Sequence, residues 1–117
     1  MKESGPIVRR GEVWLIDFRL GRGSEQLGGR PAVVIQNDIG NQYASTTIVA
    51  ALTTTMKIYP ITVKVDRGEG GLKQLSMVNL AQVLTLDKTR LQKRLGALSP
   101  QTMARVSAAI RVSLDLD

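Results

Sequence analysis

Arg30 stands immediately before Pro31, where a glycine-rich polar stretch gives way to the apolar run 32–35. A residue that precedes proline is pushed into extended conformations, so the Arg30 backbone is restricted where loop meets strand. Its guanidinium is a permanently charged planar fork that matches phosphate oxygens. Thr53 closes a second apolar run, 46–52, and begins the hydroxyl cluster Thr53, Thr54 and Thr55. A hydroxyl at a strand end can donate to or accept from a phosphate oxygen. Each residue also has a plainer reading: a surface Arg at a strand start, and Thr for its β-propensity. Gly28 and Gly29 permit close approach of a backbone or a ligand, or serve as turn glycines.

Composition narrows the chemistry further. The 117 residues contain no Cys and no His, which removes thiolate nucleophiles, disulfides, the commonest metal ligand and the commonest proton shuttle. No Gly-rich segment leads into Lys-Ser/Thr and no strand-linked GxGxxG opens a helix, so no nucleotide cofactor is expected. The acidic residues show no metal-loop spacing, and no metal is expected either. A formal charge of +6 favours an anionic partner, nucleic acid ahead of a membrane surface. Tyr59 is the aromatic residue placed to stack on a base, whereas Trp14 and Phe18 read as core. Lys57, Arg19 and Arg22 are candidate phosphate contacts, or a solvated basic rim. The first ten residues lack an apolar signal region, and the runs 32–35 and 48–52 are too short to span a bilayer, which points to a cytosolic protein.

The elements that must position these groups follow from periodicity. Residues 12–18 read as a strand with Trp14, Ile16 and Phe18 on one face and Val13 and Leu15 on the other, hence inside a core. A polar loop, 19–29, precedes a second strand, 30–36, with Pro31 at its start. Residues 37–41 read as turn chemistry. A third strand covers 46–52, a half-buried one 61–65, and 66–71 turns the chain back. Residues 76–86 form another apolar segment whose phase slips between Leu80 and Val83, as a bulge would cause. Asp87 can cap a short helical turn. Ser99 as N-cap and Pro100 at the first helical position open an amphipathic helix on Met103, Val106, Ile110 and Leu114. About five short strands and a terminal helix indicate a small curled sheet or barrel with one or two helices, a single domain over 1–117 with a flexible lead at 1–8.

In order and spacing, the segments 10–14 (RGEVW), 23–31 (GSEQLGGRP), 34–40 (VIQNDIG), 48–53 (IVAALT), Gln82-Val83 with Thr85, and 87–91 (DKTRL) resemble the MazF/PemK family of toxin endoribonucleases. The similarity runs from about Arg9 to Leu116. It implies a β-barrel-like α+β fold, the SH3-like small barrel of CcdB and MazF with a C-terminal helix. It also implies a homodimer that is the toxin of a type II toxin-antitoxin system and is neutralised by a cognate antitoxin, with operator DNA contacted only through the antitoxin complex. The implied activity is metal-independent, sequence-specific cleavage of single-stranded mRNA by 2′-OH attack, leaving 2′,3′-cyclic phosphate and 5′-OH ends.

By motif match Arg30 and Thr53 become the catalytic pair. Ser24, Glu25, Gln26, Gly28 and Gly29 border the RNA groove, with Thr54, Lys57, Tyr59 and Gln82 as further substrate contacts. Equatorial phosphate charge would be held by Arg30, with Thr53 as a neutral donor. The general base stays open, with Glu25 a candidate by position. The chain departs from the family at Leu84 and Ala81, where relatives often carry a cation and an acid. Two other readings stand beside this one: a gyrase-poisoning toxin of the same barrel class, and a nucleic-acid-binding barrel without activity. For the dimer, the strand 48–52 and the terminal helix are the apolar surfaces on offer.

Overall fold

β-Branched and apolar runs build the strands β1 (Glu12–Ile16), β2 (Arg30–Val34), β3 (Thr46–Thr53), β4 (Thr62–Val65), β5 (Ser76–Asp87) and β6 (Leu91–Ala97). The structure is a computed structural model that describes residues 5–17, 29–57 and 59–117. Two α-helices, α1 (Asp38–Tyr43) and α2 (Pro100–Ser113), and 3₁₀ turns at Glu69–Gly71 and Lys88–Arg90 complete it. The strands form one antiparallel sheet in the order β4-β5-β3-β2-β1-β6. This is the barrel-like α+β arrangement with a C-terminal helix that the sequence implied.

Side chains alternate across the sheet, so β1, β2, β3 and β5 feed two cores. Val13, Val33, Ala50, Leu52, Val63, Val65, Val78 and Leu80 pack with Val106 and Ala109 of α2 on one side. Val8, Trp14, Ile16, Ala32, Val34, Val49, Leu86 and Leu91 pack on the other. β1 is therefore buried on both faces, as its composition predicts. Val8 falls within the stretch expected to be a flexible lead, yet it is buried in the second core. Phe18 lies outside the described residues.

Two local expectations change. Residues 37–41 do not form a simple turn: the Asn37 side chain accepts the Gly40 N–H at 2.8 Å and caps α1, the use of Asn most favoured at a helix start. β6 adds a strand that the charged, weakly alternating Gln92-Lys93-Arg94 stretch hides. In the strand 48–52, offered as a dimer surface, Val49, Ala50 and Leu52 are buried within the sheet between β2 and β5, while Ile48 and Ala51 are half-buried. The bulge in β5 is present: Ala50 pairs with Val83 but Ala51 with Asn79, so Leu80, Ala81 and Gln82 have no partner on β3. The turn after Asp87 forms too, although the Asp87 side chain makes no capping bond.

Ser99 caps α2, its hydroxyl accepting the Thr102 N–H at 3.1 Å, and Pro100 opens the first turn. The inward face runs from Met103 through buried Val106 to Ile110 and stops there, since Leu114 lies past the helix end and is 61% exposed. Glu69 anchors the start of α2 by accepting the Ser99 N–H at 2.9 Å. Burial pushes the Glu69 carboxyl up, but hydrogen bonds from Ser99 and Thr102 outweigh it and hold the group below its ordinary 4.5. The Arg10 N–H, then the Asn41 amide, hold Asp38 below its ordinary 3.8. A carboxylate with a depressed folded-state pKa contributes stability that is present above its unfolded value and is lost as pH falls through the folded one. The melting temperature should therefore be insensitive to these groups above about pH 5 and decline as acid protonates them. In Glu69→Gln that acid decline should be shallower. An unchanged slope in thermal melts taken across that range would refute the assignment.

Candidate functional site

The β2–β3 register pairs Ala32 with Ala51, Val33 with Ala50 and Val34 with Val49. Carried two residues further, it sets Thr53 across from Arg30, and residues directly opposite in a ladder share a face. That face is the one away from α2, where Ala32, Val34 and Val49 already pack. Arg30 and Thr53 both open into one cleft of about 600 Å³. Two segments 23 residues apart in sequence, as 53 less 30, thus deliver a guanidinium and a hydroxyl to one place.

The chemistry of each group is set by its neighbours. Arg30 is exposed, and among the described residues its guanidinium has no hydrogen bond or ion pair, so its donors face the cleft unspent. Thr53 is half-buried, and its hydroxyl oxygen accepts the Thr55 N–H at 3.1 Å. With that lone pair engaged, the hydroxyl proton is left to donate outward. A planar cation and a neutral donor on one wall suit the stabilisation of negative charge on phosphate oxygens.

The other walls come from later in the chain. Lys57 and Tyr59 line the cleft from the segment after β3, Tyr59 being 51% exposed. Thr62 holds this segment in shape: its hydroxyl oxygen accepts the Tyr59 N–H at 3.0 Å and donates to the Lys57 or Tyr59 carbonyl. Val83 and Leu84 line the cleft from the paired part of β5, and Ala81 and Gln82 from the bulge. Asn79 shapes it by accepting the Ala81 N–H at 3.0 Å, and the Leu80 N–H bonds the Ile61 carbonyl at 2.9 Å. The positions where the sequence departs from its resemblance, Ala81 and Leu84, therefore form part of the cleft wall and make it apolar there.

Of the residues singled out in the sequence, Arg30, Thr53, Lys57, Tyr59 and Gln82 converge on the cleft. Thr54 is exposed and is not among the cleft residues. Gly29 is also absent from the lining; a Cβ there would meet the Leu15 Cβ at 2.9 Å and the Ile16 nitrogen at 3.2 Å, so this glycine serves the close approach of β1. Arg19, Arg22, Ser24, Glu25, Gln26 and Gly28 lie outside the described residues. Sequence reasoning missed Thr55, Thr62, Met77 and Asn79. Thr55 was signalled by the threonine run, and Asn79 by its place just before the phase slip. Among the described residues no three of His, Cys, Asp and Glu gather as a metal group would.

Comparison with known proteins converges on one family. A family model described as PemK-like, MazF-like toxin of type II toxin-antitoxin system matches residues 9–114. The chain is 45% identical over 113 residues to an Endoribonuclease MazF of Staphylococcus saprophyticus, covering 94% of this chain and 93% of that relative. Among solved structures it is similar to an endoribonuclease from Mycobacterial species, with a TM-score of 0.80 and 25% identity over 96% of this chain and 95% of that one. An endoribonuclease in complex with its cognate antitoxin, also from Mycobacterial species, matches with a TM-score of 0.80 and 26% identity over 94% and 97% of the two chains.

Proposed function

The chain belongs to the PemK-like, MazF-like toxin family of type II toxin-antitoxin systems, and from that premise we propose that its cleft is an endoribonuclease active site for single-stranded mRNA. The observation that carries this reading is the meeting of Arg30 and Thr53 in one cleft. In the proposed step the substrate 2′-oxygen bonds to the adjacent phosphorus while the bond from phosphorus to the 5′-oxygen breaks. The 2′-OH proton is lost and the leaving oxygen gains one, so the ends are a 2′,3′-cyclic phosphate and a 5′-OH. Arg30 takes the charge on the equatorial oxygens through paired N–H donors, and Thr53 adds a neutral donor. The sequence holds neither His nor Cys, so this charge stabilisation falls to guanidinium and hydroxyl, and no metal is required by it.

Sequence specificity is assigned to the walls. Tyr59 offers a stacking face, Gln82 an amide that can pair with a base edge, and Ala81 and Leu84 an apolar surface. The partners in this reading are RNA, a cognate antitoxin and a second copy of the chain, with operator DNA reached only through the antitoxin complex and no membrane. Supporting the second copy, an apolar groove of about 480 Å³ is lined by Ile35, Ile48, Leu80, Val83, Ile110 and Leu114. Among the described residues no helix is long and apolar enough to cross a membrane, and the cytoplasm, where mRNA lies, is the proposed location.

The test is incubation of the pure protein with a long single-stranded transcript in chelator, followed by mapping of cut positions and end chemistry. Cleavage at a recurring short motif with cyclic-phosphate and 5′-OH ends is expected. Thr53→Val should slow it by about 10²-fold, the loss typical of one such donor, while Thr53→Ser keeps most of the rate. No cleavage, 3′-OH ends, or full activity in Thr53→Val would overturn the mechanism.

A further inference from the structure

We propose that the RNA track continues beyond the cleft, into a second groove between β4 and α2 that holds the phosphates of the strand as it passes over the turn at residues 59–62. This rests on the ribonuclease reading above and extends it. The second groove, about 360 Å³, shares Thr62 with the cleft, and consecutive residues divide between them: Tyr59 lines the cleft and Pro60 the groove. The two depressions are thus neighbours across one ridge. The ridge is braced, since Thr62 bonds back to Tyr59 through both its backbone N–H, at 3.0 Å, and its hydroxyl.

Charge selects the occupant. Among the described residues the cleft presents Arg30 and Lys57 and the groove Lys64 and Arg105, with no carboxylate lining either. Lys64 is exposed on the edge strand β4 and has no ion pair among the described residues. Arg105 is exposed on α2 and is steadied by a 3.3 Å hydrogen bond to the Thr102 hydroxyl. Its field reaches the Glu69 carboxylate, but only as the weakest influence on that group. On α2 the groove is further lined by Ala108, Ala109 and Val112, uncharged side chains, two of them small, that leave room for a sugar-phosphate backbone. A polyanion entering the cleft meets this cationic surface next.

Binding of two RNAs tests the idea once the cut motif is mapped, each RNA carrying a 2′-deoxy nucleotide at the scissile position. One is the motif alone and the other the motif within a longer single strand. A single-strand phosphate contact contributes about 0.7 to the salt slope, hence about fivefold in affinity at roughly 0.1 M salt. Lys64→Ala and Arg105→Ala should each weaken the long RNA by about fivefold, and the double variant by about 25-fold, with the slope reduced by about 1.4. The short RNA should bind all of them alike, Arg105→Lys should retain affinity, and Lys73→Ala, an exposed cation lining neither groove, should change nothing. Equal losses on both RNAs, no loss, or an equal loss in Lys73→Ala would overturn the proposal. So would a changed sedimentation coefficient in the double variant, which would give the groove to a second copy. Failure of the parent to cut any RNA sinks the ribonuclease reading itself; cutting without the length dependence sinks only the second groove.

Discussion

Arg30→Ala should lower the cleavage rate by about 10²–10³-fold while leaving the melting temperature within about two degrees of the parent, the rate loss being that of one preorganised donor to developing phosphate charge. The separation of the two readouts follows from the surroundings. The guanidinium is exposed and has no partner among the described residues, so its removal leaves no buried group unsatisfied, and surface changes of that kind cost about 0.5 kcal/mol or less. Arg30→Lys should recover little of the rate, because an ammonium cannot span two oxygens in one plane. Single-turnover rates beside thermal melts decide the matter. A variant that keeps its activity, or one that loses activity only because it unfolds, would remove Arg30 from the chemistry.

Asn41→Ala should be the most destabilising single change in a polar residue. Asn41 is buried, and its amide oxygen accepts from the Gln36 amide at 3.0 Å and from the buried Thr47 hydroxyl at 2.7 Å. Its amide nitrogen donates to the Gln36 carbonyl at 2.9 Å and to Asp38 at 3.1 Å, while its own carbonyl receives the buried Lys88 amine. The side chain thereby joins α1 to β3 and to the end of β2. A buried donor or acceptor left without a partner costs about 1–3 kcal/mol. With the buried Thr47 hydroxyl orphaned and the Gln36 carbonyl losing its donor, while the Gln36 amide keeps the Thr46 carbonyl at 3.0 Å, a loss of about 3 kcal/mol is expected, which lowers the melting temperature by roughly 10–15 °C in a domain of this size. Thr47→Val in the Asn41→Ala background should recover part of it, since groups in one network couple. A loss below about 0.5 kcal/mol, the scale of an ordinary surface change, would show that water replaces the network.

How much was legible beforehand depends on whether the signal was local. Thr46–Thr53, with a run of β-branched and small apolar residues, and the Ser99-Pro100 start of α2 carry their structure in adjacent residues, and both were read correctly. α1 was not, because Asn37, Asp38 and Gly40 are turn formers and helix-start formers alike. The choice between those roles is made at a distance, by the buried Asn41 network and by the Arg10 N–H that holds Asp38. β6 escaped because its outer residues Gln92, Lys93 and Arg94 are exposed and its pairing with β1 shifts register twice, which blurs the period of two. At the site, Arg30 and Thr53 had a phosphate chemistry from their types and a shared role only from resemblance. That they meet is a property of β2–β3 pairing, which no local window contains. Thr62 was invisible for the same reason: its contribution is the shape of a turn that presents other side chains.

The unpaired stretch of β5 separates two demands that most strands must meet with the same residues. Leu80 sinks into the interior at 2% exposure and fastens the excursion, whereas Ala81 and Gln82 stand clear of both the ladder and the cores. If the proposed RNA path holds, exchanging Ala81 or Gln82 alters what a passing nucleotide touches without asking the scaffold to repack. On that reading target preference can change at little thermodynamic cost, and an engineer seeking a different cut site has two neighbouring positions at which to begin.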